Sequence, residues 1–160
     1  MQESLEERLP DLLYALVLQD FPESLVMTLV VLSLLNYRLL RPRTIIIALL
    51  QTVTNLVRLL PVVFGMHTVV LLISLTVYTS IFTRARLTRV LLAVLICGAV
   101  ALAAEMLYVA PLLRFTGMTY QQVYANPFYR ALFSVPYEVL LLAVALGKNW
   151  FNHRRGWVRP

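Results

Sequence analysis

Charge in this chain is confined to blocks, and the blocks are separated by apolar runs about as long as a bilayer is thick. Six of the eight acids (Glu3, Glu6, Glu7, Asp11, Asp20, Glu23) fall within the first 23 residues. Ten of the fourteen Lys and Arg residues form three clusters: Arg38, Arg41, Arg43; then Arg84, Arg86, Arg89; then Lys148, Arg154, Arg155, Arg159. Charged residues make up 14% of the sequence, against roughly 25% in a soluble domain. Most of the 160 residues therefore go into crossing lipid, and little remains for a globular head. The net charge of +6 would suit nucleic acid. It is also the excess that cytoplasmic loops of membrane proteins carry, and only that reading explains where the cations lie.

A spanning helix needs about 20 predominantly apolar residues. Five runs qualify, at about 22–40, 44–63, 66–82, 87–113 and 127–146. Pro22 and Glu23 suit the first turn of a helix, and Asn126-Pro127 reads as a cap followed by a first helical residue. Pro136 predicts a kink inside the fifth run, because it removes a backbone donor. Ahead of these, Leu5, Leu9, Leu12, Leu13 and Leu16 keep helical spacing with Glu6, Glu7 and Asp11 off the stripe. Residues 1–20 are thus expected to form a short amphipathic helix on the surface or over the bundle. Thr119-Tyr120-Gln121-Gln122 has the capping-box pattern and predicts a short interfacial helix, with Tyr120 and Tyr124 at headgroup level. The expected fold is all-α: a polytopic membrane bundle of about five transmembrane helices over residues 21–147. A basic aromatic tail follows at 148–160.

Five crossings place the loops at 37–43 and 83–89 and the tail from Lys148 on one side, and all three are basic. The opposite side receives the N-terminus, the turn at Gly65 and the loop at 114–126, where only Arg8 and Arg114 are basic. The positive-inside rule then predicts an N-terminus outside and a C-terminus in the cytoplasm. An even number of crossings would break that agreement. The acidic start does not resemble a cleavable signal peptide. Cys97 is the sole cysteine, which excludes an internal disulfide and predicts a small packed residue.

Four charges stand alone inside apolar runs: Arg58, Glu105, Arg130 and Glu138. At 1.5 Å per residue, Arg58 lies about 22 Å from Arg43, and Glu105 about 24 Å from Arg89. Both reach the outer half of a core roughly 30 Å thick. Arg130 falls near the outer interface and Glu138 near the midplane. An isolated charge there costs at least about 2.5–3.5 kcal/mol, so each needs a partner or water. One reading is a polar pocket open to the outside, in which Arg58, Glu105 and Arg130 meet a ligand. The other is a buried ion pair that fixes helix register. Glu138, beside Pro136, could take a proton, a cation or a partner, or simply be protonated. Gln51, Thr54, Asn55 and Arg58 share one face of the second span, which must point into the bundle.

His67 in the outer turn and His153 in the tail lie on opposite sides and cannot share a metal. Trp150, Arg154, Arg155 and Trp157 interleave aromatics with cations, the pattern of an anchor on anionic lipid more than of an RNA grip. Paired metal ligands, a nucleophile elbow and a phosphate loop are all missing from the sequence, so neither enzyme activity nor a cofactor is expected.

Three stretches carry a resemblance: Phe21-Pro22-Glu23-Ser24; Arg58-Leu59-Leu60-Pro61 through Phe64-Gly65-Met66-His67-Thr68; and Gly117 through Asn126-Pro127. Over most of residues 20–147 the chain resembles the membrane sensor region of histidine kinases of the accessory-gene-regulator type from Firmicutes. That resemblance implies signal perception in a bacterial plasma membrane. These 160 residues hold no phosphoacceptor helix and no ATP-binding module, so it implies a stand-alone sensor, a kinase-less relative or a scaffold reusing the fold. The expected function is a sensor or signalling component that acts through a separate protein. Its expected partners are the bilayer, a protein partner or a second copy, and a peptide or small amphipathic ligand. Two alternatives stand beside it. One is a small carrier using Glu138 and the face at 51–58. The other is a structural assembly subunit, whose small residues Gly98, Ala99, Ala101, Ala103 and Ala104 allow close helix approach. Arg58→Gln is expected to abolish the response while membrane abundance on immunoblots stays unchanged. Loss of abundance alone would make Arg58 structural.

Overall fold

The structure, a computed structural model, describes residues 14, 16–59 and 66–157; Arg58, Leu59, Tyr124, Ala125 and Pro127 are described by their backbone alone. A π-helical turn, Leu16–Asp20, runs directly into α1 (Phe21–Leu34). Helix α2 (Pro42–Thr54) continues as a 3-10 segment, Asn55–Leu59. Then come α3 (Met66–Thr83), α4 (Leu87–Thr116), α5 (Tyr120–Ala125) and α6 (Pro127–Arg154). The fold is an all-α bundle.

Four helices are long and apolar enough to cross a membrane: Leu16–Leu34, Met66–Thr83, Leu87–Thr116 and Phe128–Arg154. The second expected span is a shorter apolar helix, Pro42–Val57. Most of the expected amphipathic helix at 1–20 lies outside the described residues. Its last five residues are joined to the first span without a break. Pro22 lies inside the continuous helical stretch Leu16–Leu34, where it removes one backbone donor. Upstream of it the chain stays helical by widening to the π turn.

Helix ends follow local chemistry. The Thr119 hydroxyl accepts from Gln122 N–H while the Gln122 side chain accepts from Thr119 N–H, closing the capping box that starts α5. Asn126 Oδ1 accepts from Phe128 N–H at 2.9 Å and starts α6, with Pro127 in its first turn. Gly117, at φ +66°, ends α4 in the left-handed region that glycine enters freely. Pro111 and Pro136 both sit inside continuous helices.

Helix α1 is the centre. It contacts α2, α3, α4 and α6, and half of its most apolar stretch is buried, against 22–28% for the other three long helices. Ser24, Thr28 and Ser33 on α1 are buried, and Thr28 turns its hydroxyl back onto Ser24 O at 2.7 Å. Small side chains of this kind let neighbouring backbones approach closely. Val30, Val31, Ile47, Leu75, Val90, Val94, Cys97, Leu141 and Ala145 close the core around them. The outward faces are apolar too, with Leu92, Leu102, Leu107 and Phe115 of α4 exposed, as suits contact with lipid tails.

Helix α6 runs eight residues past its expected end at 146 and takes much of the tail with it. Asn152, buried to 1% exposure, donates to Ser33 O at 2.9 Å, and Ser33 Oγ donates to Ala145 O at 2.9 Å. These two bonds lock the end of α6 to the end of α1. Asn152→Ala is expected to lower the detergent-solubilised unfolding midpoint, at a cost of roughly 0.6–1.7 kcal/mol, the range of such interhelical bonds. An unchanged midpoint in a thermal melt would show that the clamp carries no stability.

Candidate functional site

Chain direction divides the bundle into two ends. The starts of α1, α3 and α6 and the end of α4 meet at one, with Glu23, Glu105 and Arg130 among their residues. The arginine clusters of the turns at 37–43 and 83–89 mark the other. At the acidic end these elements surround a cavity of about 680 Å³.

Its wall is assembled from six elements. The π turn gives Gln19, α1 gives Glu23, α3 gives His67 and Thr68, and α4 gives Glu105, Tyr108, Val109 and Leu113. Tyr120 and Val123 come from α5, and Arg130, Phe133, Ser134 and Tyr137 from α6. Hydrogen bonds tie these walls together. Arg130 Nε donates to Gln19 Oε1 at 2.8 Å, joining α6 to the π turn. Tyr108 Oη donates to Phe133 O at 2.7 Å, joining α4 to α6. The Tyr137 hydroxyl bonds the Glu23 side chain, and its ring stacks on Tyr108 at 6.4 Å between centroids.

Two of the three expected ligand-or-ion-pair residues, Glu105 and Arg130, therefore share one wall. The Arg58 side chain lies outside the described residues, so its expected meeting with Glu105 does too. Glu138 does not line this cavity. It accepts from Ser134 Oγ at 2.8 Å, one turn back on α6. Gln19, Glu23, Tyr108 and Tyr137 are wall residues that the sequence reading missed. Helical spacing carried a signal for them: Gln19 precedes Glu23 by four, Tyr108 follows Glu105 by three, and Tyr137 follows Arg130 by seven.

The polar face of α2 points into the bundle as expected, but mainly at other helices. Gln51 Nε2 donates to Leu71 O at 3.0 Å, and Ser74 Oγ donates to Gln51 Oε1 at 3.0 Å. Asn55 Nδ2 donates to Ser24 Oγ at 3.3 Å, and the Thr54 and Tyr78 hydroxyls stand 3.0 Å apart. Gln51 and Asn55 also reach a side pocket of about 100 Å³ that shares Glu23 and Thr68 with the large cavity.

At the basic end, Arg154 stacks on Trp150 at 3.9 Å, and Arg155 lies between Phe151 at 4.3 Å and Trp157 at 5.0 Å. Stacked guanidiniums of this kind leave their edges open for an anionic surface. No group of three His, Cys, Asp or Glu side chains positioned for a metal occurs among the described residues.

No family model, curated protein or solved structure matches this chain.

A cavity of this volume falls within the 300–1,000 Å³ range of small-molecule sites. It combines an apolar floor, two carboxylates, one guanidinium and three tyrosines, which suits a ligand that is both apolar and polar. The Gln51 network should be separable from it. Gln51→Leu is expected to lower the unfolding midpoint through the lost α2–α3 bonds while Arg130 and Glu105 keep their places. The midpoint and the crosslinking yield of a Glu105→Cys/Arg130→Cys pair, compared with and without Gln51→Leu, measure the two effects separately.

Proposed function

We propose that this chain is an integral membrane receptor component. It takes a small amphipathic ligand or peptide into the cavity at its acidic end and signals through a separate protein. Supporting this reading is the convergence of Glu23, Glu105 and Arg130 from three helices on one partly open cavity. Charges at membrane depth are expensive, and a wall that gathers both signs beside tyrosines offers a zwitterionic or polar headgroup its counter-charges. The apolar part of such a ligand would rest on Val109, Leu113 and Phe133. In this reading the chain crosses five times, with α2 and its 3-10 extension as the shortest crossing. The acidic end faces outside and the three arginine clusters face the cytoplasm.

Receptor function is favoured over a carrier because the packed core, with Val31, Ile47, Leu75, Val94, Cys97 and Leu141, separates the acidic-end cavity from the basic end. Glu138, the midplane carboxylate that a carrier path would use, is held by Ser134 outside the cavity wall. The resemblance to accessory-gene-regulator-type sensor regions points the same way.

The test is mass spectrometry of small molecules that co-purify with the full chain in mild detergent. Wild-type protein is expected to retain at least one amphipathic species that a Glu105→Gln/Arg130→Gln variant loses by about tenfold or more, with its unfolding midpoint within a few degrees. Identical bound species in both proteins would overturn the reading.

A further inference from the structure

A second large cavity, of about 510 Å³, lies at the basic end, between the turn after α1 and the turn joining α3 to α4. Arg84, Arg86 and Arg89 line its mouth, and Leu92 and Ile96 of α4 line its floor. No carboxylate belongs to this wall. Three guanidiniums around one mouth repel each other unless an anion joins them. The four described acids, Asp20, Glu23, Glu105 and Glu138, are not among its lining residues.

The frame of the cavity is fixed. Tyr37 Oη donates to Thr83 O at 3.1 Å, tying the first turn to the end of α3, and Ser80 Oγ donates to Ala85 O at 3.0 Å. Asn36 at φ 63° and Arg84 at φ 54° are the two non-glycine residues with left-handed backbones among the described residues, and both line the cavity. Holding an arginine in that region stores strain, which tends to collect at binding sites.

Leu92 and Ile96 decide what kind of anion fits. They stand one turn apart on α4 at 60% and 44% exposure, forming an apolar track that leads from the arginines toward the lipid-facing belt. A free phosphate would use the mouth and leave the track idle. Arginine pairs with phosphate oxygens through two parallel N–H bonds, and basic pockets between membrane helices suit phosphorylated headgroups.

We propose that this cavity binds one anionic glycerophospholipid. Its phosphodiester sits among Arg84, Arg86 and Arg89, and an acyl chain lies along Leu92 and Ile96. Such a lipid would staple the α1–α2 turn to the α3–α4 turn. The site is distinct from the tail, whose Arg154 and Arg155 are stacked on aromatic rings. It also stands independently of whatever the acidic-end cavity binds.

Native mass spectrometry of the full chain, titrated with phosphatidylglycerol, tests this. The Arg86→Gln/Arg89→Gln variant is expected to bind phosphatidylglycerol about tenfold or more weakly, since each cation near an anionic lipid surface contributes about a factor of five. Arg154→Gln/Arg155→Gln is expected to stay within about twofold of wild type. On the unmodified chain, phosphatidylcholine should bind far more weakly, and millimolar inorganic phosphate or glycerol 1-phosphate should leave the bound lipid in place. Equal binding of phosphatidylglycerol by the glutamine pair and wild type would overturn the proposal. So would equal affinity for phosphatidylcholine, or displacement by either water-soluble phosphate, which would make the cavity a free-anion site. The wild-type competition decides the matter even where the glutamine pair does not fold.

Discussion

The structure depends on α1 being surrounded. A helix enclosed by others inside a bilayer gains little from the hydrophobic effect, because lipid is as apolar as leucine; close packing and internal hydrogen bonds must hold it. Ser24, Thr28 and Ser33 meet that requirement. They are small enough for close approach, and their hydroxyls are satisfied within the bundle by Asn55, by the backbone of α1 and by Ala145 O. Asn152 adds a bond from α6 to the same helix. With α1 fixed, α2, α3, α4 and α6 can keep apolar faces toward lipid.

The same constraint explains why the two cavities lie at the ends. In the middle, the core around Val31, Ile47, Val94 and Leu141 is closed. Toward each end a cavity opens, and the side chains that line it are those that water or headgroups can reach. At one end these are Glu23, Glu105 and Arg130 with tyrosines; at the other they are Arg84, Arg86 and Arg89. One chain thus presents two chemically different mouths, a mixed-charge one and a cationic one. The first suits a ligand to be recognised, and the second a lipid to be held.

Much of this was legible in the residues. Runs at 66–82 and 87–113 correspond to Met66–Thr83 and Leu87–Thr116, because apolar length and flanking arginines are local properties. The capping signals at Thr119 and Asn126 appear where they were expected, since a cap acts over three residues. The short helix expected at 1–20 is joined to the first span at Asp20-Phe21, because the chain accommodates Pro22 by widening to a π turn upstream of it. The tail at 148–160 reads as a surface anchor, yet Asn152 is a core residue, and a single asparagine among cations gives no local sign of burial. Of the stranded charges, Glu105 and Arg130 line one cavity. Glu23, which reads in the sequence as an ordinary first-turn acid, lines it too.

Sequence alone determined the number and approximate limits of the apolar helices, the segregation of acids from arginines, and the helix caps, all of which arise from neighbours within a few residues. Only the tertiary structure decided which helix is central and which polar residues bind each other. Gln51 and Asn55 became ties between helices, while Glu105 and Arg130 came to face a cavity. The physical reason is that a polar side chain in an apolar run must find a partner or water, and its sequence neighbours cannot say which. That choice is made by the angle at which the helices pack.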